Sequence, residues 1–245
     1  PYSSVTGATR PASHSGGDVL GLFRNRKSKR VQVAATSPLM DRIHETMLGL
    51  GTSRPVFHSE ADFQHALAWQ IRHDHPDAEV RLETRPLPDE ALFLDVLVRL
   101  AGVKIAIECK YFTKALDTRV AGESFNLRNQ GANPIRRYDA VKDITRLERL
   151  VDAGAVDEGL GIVLANDPAY WQPASGGETI DHAFRIHEGR QLEGYLAWDP
   201  GTGAGTSQGR EDPVVLRGSY RLQWQDFSTP AGGPGGSFRY LVVNV

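Results

Sequence analysis

Apolar residues recur at helical and strand spacing only from about residue 36 onward. Residues 1–30 are rich in Ser, Gly, Arg and Pro and poor in large apolar side chains, so they cannot build a core. Residues 1–35 therefore read as a flexible arm. Pro38, Leu39, Ile43, Met47, Leu50 and Gly51 then predict a helix with Pro in its first turn and Gly after its end. Ser59 and Asp62 mark a second helix start, followed by Phe63, Leu67 and Ile71 at 3.6-type spacing, with Pro76 closing the segment. Residues 79–85 alternate charged and apolar side chains, and two dense apolar strands, 92–100 and 103–111, flank Ala101-Gly102. Residues 112–133 show no clear period. Tyr138, Val141, Ile144, Leu147 and Val151 then predict a helix from Pro134 with Gly154 as its cap, and residues 160–165 read as a short buried strand. Segments 181–198, 214–227 and 238–245 favour strands between Gly-rich loops. The expectation is an α/β core over 36–168 and a β-rich extension over 169–245 belonging to the same domain.

Composition removes several classes. One cysteine, Cys109, excludes a disulfide framework and a multi-thiolate zinc site. No apolar run approaches the roughly 20 residues that span a bilayer, and residues 1–20 lack the apolar stretch of a signal peptide, so a soluble, cytoplasmic protein is expected. There is neither a Walker A sequence nor a dinucleotide fingerprint between a strand and a helix.

The formal net charge of −2 hides a segregation: +5 over residues 1–35, −5 over 36–103, +4 over 104–149 and −6 over 150–245. Two basic stretches in an acidic chain can meet polyanions. They are Arg24, Arg26, Lys27, Lys29 and Arg30 in the arm, and Arg136, Arg137, Lys142 and Arg146 on the helix after Pro134. Asp139, Asp143 and Glu148 are available to neutralise the second set. As for any charge run, solvated surface is the plain alternative.

The chemistry lies in LFLDVLVRLAGVKIAIECKY, residues 92–111. If Ala101-Gly102 closes a two-residue hairpin, Leu100 opposes Val103, Val98 opposes Ile105, and Asp95 opposes Glu108 on one face. Lys110 projects from that same face. Two facing carboxylates call for a cation between them, and a hard divalent ion such as magnesium or manganese takes carboxylate and carbonyl oxygens while keeping waters. The backbone carbonyl of Cys109 lies between the motif residues as a third ligand. Lys110 is placed to position or deprotonate a water, or to offset charge on a pentacoordinate phosphate. A salt-bridged Glu–Lys pair beside one Asp is the plain alternative, at a desolvation cost three charges in apolar strands would have to recover.

An Asp, twelve intervening residues and Glu-x-Lys at the end of the next strand resembles the PD-(D/E)xK nuclease superfamily, over roughly residues 58–166. Leu94 stands where the family name has Pro. The resemblance implies a restriction-endonuclease-like αβββαβ core with a central mixed sheet flanked by helices. It implies Asp95 and Glu108 as metal ligands, Lys110 as the catalytic lysine, Glu60 in the first core helix as a further acid at the metal, and Gln130 as a weaker candidate. The expected activity is magnesium- or manganese-dependent hydrolysis of DNA, in restriction or defence, by a family whose members are commonly homodimers. The rivals are a structure-specific or RNA-directed nuclease with the same site, a silent nucleic-acid-binding module of the same fold, and an unrelated α/β scaffold.

Overall fold

The computed structural model describes residues 37–87 and 92–245. The basic arm, with Arg24, Arg26, Lys27, Lys29 and Arg30, lies outside the described residues. Thr36–Val245 forms one unit.

Both N-terminal helices start at a serine cap. In α1 (Pro38–Ser53) the Ser37 hydroxyl accepts the Met40 N–H, and in α2 (Glu60–Asp74) the Ser59 hydroxyl accepts the Asp62 N–H at 3.2 Å. Strands β1 (Glu79–Thr84), β2 (Leu94–Leu100) and β3 (Val103–Phe112) follow as an antiparallel meander. After β4 (Leu116–Val120) and β5 (Glu123–Leu127), helix α3 (Asn133–Asp152) carries the chain across to β6 (Glu158–Ala165), parallel to β3. Strands β7 (Gln191–Leu196), β8 (Val214–Arg221), β9 (Trp224–Ser228) and β10 (Phe238–Asn244) complete the chain, with a single-turn helix α4 (Ala204–Ser207) between β7 and β8. The central sheet is mixed and six-stranded, in the order β1-β2-β3-β6-β10-β9.

Period-two alternation gives the sheet two faces. Ile105, Ile107, Cys109 and Tyr111 of β3 join the core against α1 and α2, where Phe57, Phe63 and Leu67 pack. Ala106 on the other face packs with Leu147 and Leu150 of α3. Gly51 is pinned on the first side: a Cβ there would lie 2.6 Å from the Phe227 carbonyl oxygen. Gly51→Ala must shift that backbone, so urea unfolding should show a loss of about 1–3 kcal/mol.

Three parts differ from the sequence reading. Gly51, expected after the end of the first helix, lies within α1, which continues to Ser53. Residues 112–133, without a readable period, contain the β4–β5 hairpin, turned at Ala121-Gly122 with positive φ at both positions, as at Ala101-Gly102. The segment 181–198 is strand only in β7; His182–Phe184 is a 3₁₀ turn. The C-terminal extension enters the core directly, because β10 pairs with β6, and β8, paired with β7, packs against α3. Glu148 of α3 fixes that contact by accepting the N–H groups of Arg217 and Gly218 and the Tyr220 hydroxyl.

Candidate active site at the end of the β2–β3 hairpin

The site forms where β3 outruns its partner. The β2–β3 ladder pairs Leu100 with Val103 through Val96 with Ile107, so the next opposed positions are Asp95 and Glu108. Beyond that point the β3 amides on the β2 side lack strand partners, and carboxylates take them. The Cys109 N–H donates to Asp95 Oδ2 at 2.7 Å, and the Tyr111 N–H to Glu60 Oε2 at 2.8 Å. Glu60 reaches there because it opens α2, whose first turn abuts this strand end. Its carboxylate therefore comes from a different element than Asp95 yet binds the same strand edge.

On the face toward α3, Glu108 is 2 % exposed. Lys110 Nζ lies 2.6 Å from Asp143 Oδ2, and Arg146 lies 2.9 Å from Asp143 Oδ1 and 3.0 Å from Glu108 Oε1. Spacing of three residues on α3 turns Asp143 and Arg146 to the sheet together. Arg146 also donates to the Phe93 carbonyl at 2.6 Å. The Phe93 ring, beside it, is half exposed with the Arg85 guanidinium 5.7 Å away.

Four carboxyl groups (Glu60, Asp95, Glu108, Asp143) thus surround two cations (Lys110, Arg146). Burial first, then Asp143 and Asp95, push the Glu108 carboxyl up to about 9, against the pull of Arg146 and Lys110. The Glu60 carboxyl is also raised, chiefly by burial, although Lys110 and the Tyr111 amide oppose this. Burial would lower the Lys110 ammonium, but Asp143 and Glu60 outweigh it and hold Lys110 above its ordinary value and charged. Burial and the neighbouring carboxylates thus work against the charged form of Glu108, a penalty that a cation in the cluster would offset.

The donor set suits a hard divalent ion. Glu108 Oε1 and Asp143 Oδ2 accept no aligned hydrogen bond, although each has a cation at ion-pair distance. The Cys109 carbonyl faces the same strand edge and accepts Lys110 Nζ at 3.3 Å. The Cys109 thiol points into the opposite core, where burial raises it well above its ordinary value, so only its carbonyl is available. Among the described residues no three acidic, His or Cys side chains form a ready cage. Magnesium does not need one: it is commonly held by one or two carboxylates, with waters and substrate phosphate completing an octahedron.

The remaining candidates are scattered. Arg137, expected on a phosphate-facing surface, is buried: it pairs with Asp181 and donates to the Ala169 carbonyl, because α3 is covered on that side by the extension. Arg146 belongs to the acidic cluster instead of an outer basic stripe. Arg136 donates to the Gln130 and Gly131 carbonyls and lies over the Phe112 ring. Lys142 is exposed beside Tyr138. Gln130 closes the base of the β4–β5 hairpin, accepting from and donating to the Thr113 backbone. Sequence reading saw Asp143 only as a countercharge; the available signal was its place among the inward positions Val141, Ile144 and Leu147.

Comparison with known proteins finds no matching family model, no matching curated protein and no matching solved structure.

Proposed function

We propose that the chain is a metal-dependent nuclease hydrolysing DNA phosphodiester bonds, built on a restriction-endonuclease-like core that runs α2-β1-β2-β3-α3-β6. The observation that carries this reading is the opposition of Asp95 and Glu108 at the open end of a hairpin, with Lys110 beside them and more buried carboxyl groups than cations. Such an arrangement is unfavourable as scaffold and suited to a cation. Magnesium or manganese would be held by Asp95, Glu108 and the Cys109 carbonyl, with Glu60 on the adjoining strand edge. The ion would supply Lewis acidity and a more acidic water.

The chain's own residues account for the remaining steps. Lys110, kept charged by Asp143, acts as a donor: it orients the attacking water and offsets the charge gathering on the phosphate oxygens as the new P–O bond forms and the bond to the leaving oxygen breaks. Arg146 holds Glu108 and Asp143 in place. Asp95 is held by the Cys109 amide, so its second oxygen is left for the ion.

Purified protein should nick or cut plasmid, linear or branched DNA with magnesium and fail to do so with chelator. Cleavage confined to RNA would move the same site to the RNA-directed reading. No cleavage of any of these would leave the silent binding module.

A further inference from the structure

A second charged cluster, of opposite sign, lies away from the acidic site. Arg137, Arg185 and Arg190 gather around a single carboxylate, Asp181. Arg137 pairs with Asp181 and the Ala169 carbonyl, and Arg190 donates to the carbonyls of His182 and Ala183. Arg185 is less well matched. Its Nε lies 3.4 Å from the Thr179 hydroxyl and 3.8 Å from Asp181, and its two terminal nitrogens have no partner among the described residues. Burial and then Arg137 lower the Arg185 guanidinium below its ordinary value, as burial and then Arg185 do for Arg190. The cluster has a surplus of positive charge, carried by the half-buried Arg185 and Arg190.

Arg185 opens onto a groove of about 570 Å³ just past the carboxyl ends of β3 and β6, with Lys114 and Thr179 on its walls. Ligands of open α/β sheets commonly bind beyond the strands' carboxyl ends. The Lys114 backbone is fixed at the groove: Asn166 accepts its N–H at 2.6 Å and donates to its carbonyl at 3.2 Å. Asp167 is the acidic group on the wall. Its oxygens already accept the Ala169 N–H at 3.1 Å and the Asn133 amide at 3.2 Å, and Lys114 Nζ stands 4.0 Å away.

We propose that this groove binds a phosphate group, with the terminal nitrogens of Arg185 and the Lys114 ammonium as its donors. A planar guanidinium and a point cation lining one open volume is the kind of donor set that tetrahedral oxyanions take. The site stands independently of the nuclease reading. The phosphate is either free or carried on a nucleic-acid strand.

Thermal unfolding and calorimetry on the full chain, with sodium phosphate against sodium chloride at equal ionic strength and chelator present, test this. Phosphate should raise the unfolding temperature of the wild type. Arg185→Gln and the more exposed Lys114→Ala should each weaken phosphate binding by about tenfold or more, while Arg185→Lys retains part of it. Without phosphate, Arg185→Gln should not lower the unfolding temperature, since it removes a surplus charge. Short 5′-phosphorylated and 5′-hydroxyl oligonucleotides separate the sources. Tighter binding of the phosphorylated strand, lost in Lys114→Ala, identifies a strand end; equal binding beside a clear response to inorganic phosphate identifies a free ligand. A wild type indifferent to phosphate, or a phosphate response that survives in Lys114→Ala, overturns the proposal.

Discussion

Lys110→Ala should lower the rate of DNA cleavage by about 10²–10³-fold, the usual consequence of losing one preorganised electrostatic group at a reacting centre, while divalent-metal binding persists. The variant should also unfold at a lower temperature without metal, because Asp143 loses a cation 2.6 Å away and four carboxyl groups are left around Arg146 alone. Stability and chemistry are separated by the double variant Lys110→Ala/Asp143→Ala. Removing both members of a buried pair leaves neither unsatisfied, so stability should recover toward wild type. The cleavage rate should stay low. Recovery of rate together with stability would make Lys110 a structural partner of Asp143.

The second large effect is structural. Asp181→Asn leaves Arg137, whose side chain is 4 % exposed, without its countercharge. Breaking a buried pair from one side typically costs about 3–5 kcal/mol, and here the surplus charge of Arg185 and Arg190 adds to the strain. Urea unfolding should show a loss of that size, and the paired change Arg137→Met/Asp181→Leu should recover most of it. A loss below about 1 kcal/mol, the scale of exposed pairs, would mean that water reaches the Arg137 guanidinium. Because Arg137 ties α3 to the extension, the same measurement reports how firmly residues after 168 are joined to the core.

The parts of the site made by local rules were legible in the sequence. A two-residue Ala-Gly turn sets the hairpin register, and the register alone places Asp95 opposite Glu108 and Lys110 on the same face. The Ser59 cap places Glu60 in the first turn of α2, and a 3.6-residue period reveals that helix's inner side. What long-range packing decides was not legible. Asp143 and Arg146 look like ordinary charges on a solvated helix until β3 is set against α3. Arg137 looks exposed until Asp181, 44 residues away, meets it. The β4–β5 strands are only five residues each and half exposed, too short for a period to register. The place of β10 beside β6 likewise follows from tertiary pairing between distant segments, which alternation along one strand does not encode.

The claim that Asp95 and Glu108 form a divalent-metal site is tested most directly by calorimetric titration of magnesium and manganese into wild type and Asp95→Ala. Binding is expected in the wild type, tighter with DNA present because substrate phosphate completes the coordination. It should be weakened severely in Asp95→Ala, whose metal-free form should also lose some stability, because the Cys109 N–H is left without its acceptor. Absence of binding in the wild type with and without DNA, or equal binding by both proteins, would contradict the account.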